Sequence, residues 1–123
     1  MKQLLFSVGL LCLFALMVGA CEAKKEVGAE TAIMAPASSG GRADNDEGVG
    51  HYRQGHWDVA EGHFRKAIKV DANLAEAHFN LGLSLDKMNK HEEATAEFKK
   101  AAELAPTKIA IKESPILKKH LGM

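Results

Sequence analysis

The central and C-terminal parts of the chain carry apolar residues at the spacing of one α-helical face. These residues recur mostly at steps of three and four, the interval at which helix side chains lie above one another. Three such stripes are present: Trp57, Ala60, Phe64, Ala67 and Ile68; Leu74, His78, Leu81, Leu85 and Met88; and Ala94, Phe98, Ala101 and Ala105. The pattern predicts helices over about 57–70, 74–88 and 91–104, preceded by one over 44–54 and followed by a short one over 115–122.

Two of these helices have a start signal in the sequence. Asn73, with Glu76 three residues later, resembles a capping box, in which the two residues satisfy each other's backbone N–H groups. Ser114 is a favoured N-cap residue, and Pro115 has the backbone angle that suits the first helical position. The sequence therefore marks the starts of the third and the last predicted helix.

The helices belong to a unit that repeats after 34 residues. Shifting the chain by this offset places Gly48 on Gly82, Ala60 on Ala94, Phe64 on Phe98, and Lys66-Ala67 on Lys100-Ala101. Gly55 and Asn89 each follow the first helix of a pair, and both residue types tolerate the left-handed backbone that a helix C-terminus needs. The domain at 44–122 is thus predicted to contain two helix pairs, at about 41–74 and 75–108.

The second unit resembles a tetratricopeptide repeat. The family's 34-residue signature is W-x2-L-G-x2-Y, then A-x3-F, then P. Leu81-Gly82, Ala94, Phe98 and Pro106 match it, while His78 and Leu85 replace the tryptophan and the tyrosine. The first unit is close to the family pattern over residues 52–60.

The first half of the first unit departs from the family. Asp44, Glu47 and His51 stand where large apolar residues belong, and Ala72 stands where proline is usual. We interpret these polar residues as an N-terminal cap that faces water; the alternative is a weak helix completed by another protomer or a partner. At the other end, we expect the C-terminal segment, which includes the capping helix over 115–122, to cover the second repeat with its apolar residues: Ile109, Ile111, Ile116, Leu117 and Leu121.

The resemblance implies an all-α superhelix in which the first helix of each pair lines a concave, partner-binding face. By position, this face presents Asn45, Val49, Tyr52 and Arg53 from the first repeat and Glu76, Phe79, Asn80, Leu83, Asp86 and Lys87 from the second. Asn80 matches the groove asparagine with which some family members hold a peptide backbone or a terminal carboxylate, although the lysines or arginines of a full carboxylate clamp are incomplete here. We therefore predict an exposed apolar centre with a charged rim for a protein or peptide partner. The alternative is that Asn80 only fixes the turn between helices and that Phe79 and Leu83 belong to the core.

The N-terminus has the features of a bacterial lipoprotein signal peptide. Residues 4–20 carry no charge, and Val18-Gly19-Ala20-Cys21 resembles the lipobox, after which the cysteine receives a diacylglycerol. We predict removal of residues 1–20, lipidation at Cys21 and a lipid anchor in the bacterial cell envelope. Glutamate rather than aspartate at position 22 favours the periplasmic face of the outer membrane. The alternative is an ordinary secretory signal.

The segment between this signal and the helices has the composition of a linker. Residues 21–43 are rich in alanine, glycine and serine, contain Pro36 and show no apolar periodicity. We expect a flexible connection that holds the helical domain near the membrane.

Charge and motifs exclude several function classes. Sixteen basic and 16 acidic residues leave no positive excess for nucleic acid. There is no C-x-x-C or H-E-x-x-H string, and none of the six histidines lies three or four residues from another, so we predict no metal and no cofactor. No serine or cysteine stands in a nucleophile motif, so we expect no enzyme.

These observations predict a non-catalytic, membrane-anchored adaptor or scaffold of the cell envelope, which acts by bringing partners together. The first alternative is a self-associating subunit, in which the open repeat ends pair between copies in a homo-oligomer. The second alternative is a histidine-dependent metal-handling protein, which the six histidines keep open.

Overall fold

Residues 31–123 are described by the structure, a computed structural model, and over this range the chain forms helices and no strand. The helices are α1 (Arg42–Arg53), α2 (Trp57–Val70), α3 (Ala75–Lys87), α4 (His91–Leu104), α5 (Ile109–Lys112) and α6 (Pro115–Leu121). The predicted all-α fold is confirmed, and the five predicted helices end within two residues of their expected bounds. The short α5 was not predicted. The predicted signal peptide and the predicted lipidation site Cys21 lie outside the described residues.

The helices stack in chain order. Helix α1 packs against α2, α3 packs against α4, and α2 joins the two pairs through its contact with α3. One apolar core runs through both pairs, and the largest of its fully buried side chains are Phe64, Phe79, Phe98, Leu81, Leu83, Leu85, Ile111, Leu117 and Val49. This arrangement is the predicted stack of two helix pairs.

Both pairs contain a close approach between their helices that is made by a glycine and a phenylalanine. A Cβ atom at Gly82 would lie 2.8 Å from two ring carbons of Phe98, and one at Gly48 would lie 2.6 Å from a ring carbon of Phe64. Both phenylalanines are fully buried. The repeated sequence positions therefore make the same contact in both pairs, and neither site has room for a methyl group.

The expected turn residues are confirmed, but one expected helix start is wrong. Gly55 and Asn89 have φ angles of 82° and 61°, in the left-handed region. Ser114 caps α6 by accepting a hydrogen bond from the N–H of Leu117 at 3.2 Å. Helix α3, in contrast, has Leu74 at its N-cap and no side-chain cap bond, so the predicted capping box does not form.

The C-terminal segment covers the second helix pair, as expected. Helix α6 packs on α4, and Ile111 and Leu117 are buried beneath this cover. Ile116 and Leu121 pack against the core from partly buried positions. Ile109 is not part of the cover, because 74% of its surface is exposed.

A buried histidine links α3 to α4. The two ring nitrogens of His78 lie 2.7 Å from Oε2 of Glu97 and 2.9 Å from the carbonyl oxygen of Ala72. Because both neighbours are acceptors, the ring satisfies them only as an imidazolium. Burial alone would lower the pKa of His78, but these two hydrogen bonds outweigh burial and hold the pKa above its ordinary value. A charged pair thus takes the place of the family's tryptophan.

Within residues 31–123, no helix is both long and apolar enough to cross a membrane.

The tight contact at Gly82 predicts a loss of stability when a methyl group is added. In Gly82→Ala, the new methyl overlaps the ring of Phe98, which has no free space to enter. The matched control is Gly62→Ala in α2, where a Cβ meets nothing within 4 Å. Both changes gain the same helix propensity, so the difference between them isolates overpacking. We expect Gly82→Ala to unfold with about 1–3 kcal/mol less free energy than Gly62→Ala.

Urea unfolding followed by circular dichroism measures this difference. Equal stabilities for the two variants would show that the second helix pair does not have the contact described here.

Candidate functional site

The face formed by α1 and α3 is covered by residues 32–35 of the same chain, which we call the strap. Ala32 and Ala35 are buried, with 4% and 9% of their surfaces exposed. Ala32 belongs to the apolar cluster that contains Phe79, and Ile33 packs against that cluster. The expectation of an unpacked linker to residue 43 is therefore wrong for the strap. It is also wrong for residues 42 and 43, which begin α1.

Asn80 on α3 holds the strap by its backbone. Its Oδ1 accepts a hydrogen bond from the N–H of Ile33 at 2.7 Å, and its Nδ2 donates to the carbonyl of Ile33 at 2.7 Å. One carboxamide thus satisfies both backbone groups of a single residue, as a neighbouring β-strand would. On the strap side, the two bonds involve only the backbone N–H and C=O of Ile33, so they do not depend on the side chain at this position.

Helix α1 contributes two further contacts to the strap. Nδ2 of Asn45 donates to the carbonyl of Ile33 at 3.0 Å, and Oδ1 of Asn45 accepts from Nδ2 of Asn80 at 2.9 Å. Oδ1 of Asp46 accepts from the N–H of Ala35 at 2.9 Å. Asp46 precedes Asn80 by the repeat length of 34 residues, so equivalent positions of the two helix pairs hold the same extended segment.

The charge of Asp46 is favoured by these contacts. Burial alone would raise the pKa of Asp46, but hydrogen bonds from the N–H of Ala35, from Asn45 and from Arg42 outweigh burial and hold the pKa below its ordinary value. The Arg42 guanidinium lies 3.2 Å from the second carboxylate oxygen. Asp46 is therefore an ionised acceptor for the strap at neutral pH.

A short connection returns the strap to α1. The hydroxyl of Ser39 donates to Oδ2 of Asp71 at 3.0 Å, which ties this connection to the end of α2. The N–H of Ser39 donates to the carbonyl of Pro36 at 3.1 Å and forms a tight turn. The strap and the face that it covers are thus joined within one chain by few residues.

Most of the predicted partner-binding residues are buried. Tyr52, Glu76, Phe79, Asn80 and Leu83 are all buried, with 5% or less of their surfaces exposed. The expectation of an exposed apolar centre is therefore wrong for Tyr52, Phe79 and Leu83. Their role in binding a partner stays a prediction.

The charged residues of the predicted rim have specific partners. Glu76 forms an ion pair with Lys108. Oδ1 of Asp86 lies 2.8 Å from Nδ1 of His91 and 2.9 Å from Nε2 of His120. Burial alone would raise the pKa of Asp86, but the hydrogen bonds from His120 and His91 outweigh burial and hold the pKa below its ordinary value.

Two charged residues of the rim remain exposed. Arg53 and Lys87 lie on the surface, and Nζ of Lys87 lies 5.7 Å from the ring centroid of Trp57. They are the predicted site residues that a partner can reach while the strap is in place.

Sequence analysis missed the strap and Asp46. Asp46 could have been found, because it is the counterpart of Asn80 at the repeat offset. The strap has no periodic signal, since its docking depends on backbone atoms and on two small side chains.

The two hydrogen bonds between Asn80 and the backbone of Ile33, which we call the clamp, hold the strap in place. We predict that removing the Asn80 carboxamide releases the strap. In Asn80→Ala, both hydrogen bonds to the Ile33 backbone disappear, and the buried N–H of Ile33 loses its acceptor. We expect the amide of Ile33 to exchange with solvent about 10–100 times faster than in the unmodified chain. The control is Asn73→Ala at an exposed position between α2 and α3, which should leave this exchange unchanged. The rates are measured by NMR, and unchanged protection in Asn80→Ala would contradict the clamp.

Comparison with known families identifies the second helix pair. The model of the Tetratricopeptide repeat family matches residues 75–108. This range is the predicted second repeat, and it begins with α3 and ends after α4. Comparison with curated proteins finds no match. Repeats of this family serve protein–protein interaction and are typically non-catalytic. Residues 75–108 of this chain are therefore a tetratricopeptide repeat, the family that the sequence resembles.

Proposed function

We propose that this chain is a non-catalytic, lipid-anchored adaptor of the bacterial cell envelope. In this proposal, the α1/α3 face binds an extended segment of a partner protein, and Cys21 carries the lipid. The protein acts by raising the concentration of its partner at the periplasmic face of a membrane, which we take to be the outer membrane.

The observation that carries the proposal is the pairing of Asn80 with both backbone groups of Ile33. This pairing contacts the backbone of Ile33 and does not involve its side chain. The strap therefore acts as a ligand of its own domain, and its contacts describe what a partner segment would need. The partner segment would be extended, with small residues at the positions of Ala32 and Ala35, because both of these side chains are buried.

The strap also sets the affinity that a partner must have. A segment joined to its site by a short connection has an effective concentration in the millimolar range. A partner segment with the same intrinsic affinity for the α1/α3 face competes poorly against the strap unless the membrane also concentrates the partner. The strap thus limits binding to partners that are held near the same membrane.

The anchor follows from the lipobox at residues 18–21. The chain between Cys21 and the strap can span at most about 40 Å when fully extended, since each residue adds about 3.3–3.6 Å. With the strap docked, the helical domain is therefore kept close to the headgroups. Release of the strap would lengthen the tether and expose the binding face at the same time.

Lipidation predicts a specific effect of replacing Cys21. In Cys21→Ser, the residue no longer accepts a diacylglycerol, and we expect the protein to leave the membrane fraction of bacterial cells. The matched control is Cys12→Ser, which changes the other cysteine and should leave membrane attachment intact. Fractionation and the mass of the mature chain test this prediction. Attachment of Cys21→Ser to membranes, with residues 1–20 removed, would contradict the proposed anchor.

We also predict that a separate peptide with the strap sequence binds the α1/α3 face once the strap is undocked. Ala32→Arg places a long charged side chain at a buried position and should undock the strap. A labelled peptide with the sequence of residues 30–37 should then bind this variant at least about ten times more tightly than the unmodified chain. Adding Asn80→Ala to Ala32→Arg should remove this binding, which is measured by fluorescence anisotropy.

A peptide N-methylated at the position of Ile33 is the chemical control. It lacks the N–H from which Oδ1 of Asn80 accepts a hydrogen bond, so it should not bind Ala32→Arg. Equal binding of the methylated and the unmodified peptide would contradict a backbone-reading site. A concentration-dependent dimer of the unmodified chain in sedimentation would instead support the self-associating alternative.

A further inference from the structure

A cluster of acidic and imidazole side chains lies between α1 and α2, away from the strap contacts. We call it the His–carboxylate cluster, and its members are Asp44, Glu47 and His51 of α1 and His63 of α2. One ligand atom from each of Glu47, His51 and His63 lies within 4.8 Å of the others. The rings of His51 and His63 are stacked, with their centroids 5.2 Å apart.

Two nitrogen atoms of this cluster are buried without a hydrogen bond. Nδ1 of His51 and Nδ1 of His63 have no hydrogen-bond partner within residues 31–123. Buried polar atoms of proteins are nearly always paired, and an unpaired one costs about 1–3 kcal/mol. Two such atoms in one cluster therefore point to a ligand that both rings share.

The groups of the cluster lie near one another but do not form direct hydrogen-bonded pairs. Nδ1 of His63 lies 3.7 Å from Oε2 of Glu47 and 3.8 Å from Oδ1 of Asp44. Both separations are too long for hydrogen bonds. Two ligands that bind one Zn²⁺ at about 2.0–2.1 Å in a tetrahedral site lie roughly 3.3–3.4 Å apart, so binding requires rotations of the carboxylates and of the stacked imidazole rings that bring their donor atoms together.

The second helix pair shows that the fold does not require this cluster. At the repeat offset of 34 residues, Glu47 and His51 correspond to Leu81 and Leu85, which are buried core residues. The counterparts of Asp44 and His63 are His78 and Glu97, which form a closed pair at 2.7 Å. The first pair thus has metal-ligating residue types where the second pair has two core leucines. Its counterpart of the His78–Glu97 ion pair, His63 with Asp44, is too far apart for a hydrogen bond.

We propose that the His–carboxylate cluster binds one divalent transition-metal ion, for which Zn²⁺ is the best match. His51, His63 and Glu47 form a mixed nitrogen and oxygen donor set, and Asp44, which lies 3.8 Å from His63, is the nearest candidate for a fourth ligand of a tetrahedral Zn²⁺. The ion would join α1 to α2 and replace the stabilisation that apolar residues give the second pair. This inference is independent of the proposed function, because it involves neither the strap nor the lipid anchor.

A second group of the same residue types provides an internal control. Asp86, His91 and His120 also lie close enough to share an ion. Their atoms are already paired, however, because Asp86 contacts both rings at 2.8 and 2.9 Å. Nδ1 of His120 also lies 2.7 Å from the hydroxyl of Thr95. We therefore place the metal site at the His–carboxylate cluster and use this second group as its comparison.

Zinc titration of the full chain tests the proposal. The protein is purified in detergent with its cysteine thiols blocked, and Zn²⁺ is added in competition with a chromophoric chelator. We expect one Zn²⁺ per chain with a dissociation constant at or below about 1 μM. His63→Gln should weaken binding by at least about 100-fold, whereas the control His120→Gln should leave it unchanged.

Two further measurements test the proposal even if His63→Gln does not fold. Glu47→Gln changes a side chain that is 62% exposed, so its fold is preserved, and we expect at least about tenfold weaker binding. Saturating Zn²⁺ should raise the melting temperature by about 10 °C in the unmodified chain and in His120→Gln, since the ion binds only the folded state. The rise should be much smaller in Glu47→Gln.

Three results would overturn the proposal. These are a dissociation constant well above 1 μM, equal zinc affinity in Glu47→Gln and the unmodified chain, and loss of binding in His120→Gln alone.

Discussion

The two hydrogen bonds between Asn80 and the backbone of Ile33 are the contact on which the rest of the site depends. They hold an extended segment in a place where the fold offers no strand to pair with it. Once the strap is held, Ala32 joins the apolar cluster that contains Tyr52, Phe79 and Leu83, and this face becomes part of the core. In the proposed function, a partner segment binds this face by taking the place of the strap.

The two helix pairs use the same backbone plan with different chemistry. Both contain the contact between a glycine and a buried phenylalanine, which sets the distance between their helices. The second pair fills the rest of its interior with leucines, and α6 covers its open side. The first pair places carboxylates and imidazoles at the corresponding positions, and the strap packs beside it. The strap is held by polar side chains of both pairs, namely Asn45 and Asp46 of the first and Asn80 of the second.

The sequence predicted the helices and their stacking well, because these depend on periodic apolar positions and on steric contacts. Gly82 and Phe98 are an example, since their counterparts recur at the repeat offset. Features that depend on single polar contacts were not predictable in this way. The Asn73–Glu76 spacing fits a capping box, yet Glu76 forms an ion pair with Lys108 instead. His51 and His63 lie on different helices, so the search for short histidine spacings did not find them. The strap carries neither periodicity nor charge, and only the folded α1/α3 face shows where it binds.

The most direct test of this account is an NMR measurement on the unmodified chain in solution. Nuclear Overhauser effects between the side-chain amide protons of Asn80 and the backbone of Ile33 report the clamp itself. We predict strong effects between these groups, together with slow solvent exchange of the Ile33 amide, at every protein concentration tested. Random-coil chemical shifts for residues 32–35 and no such effects would contradict the account, because the α1/α3 face would then be open.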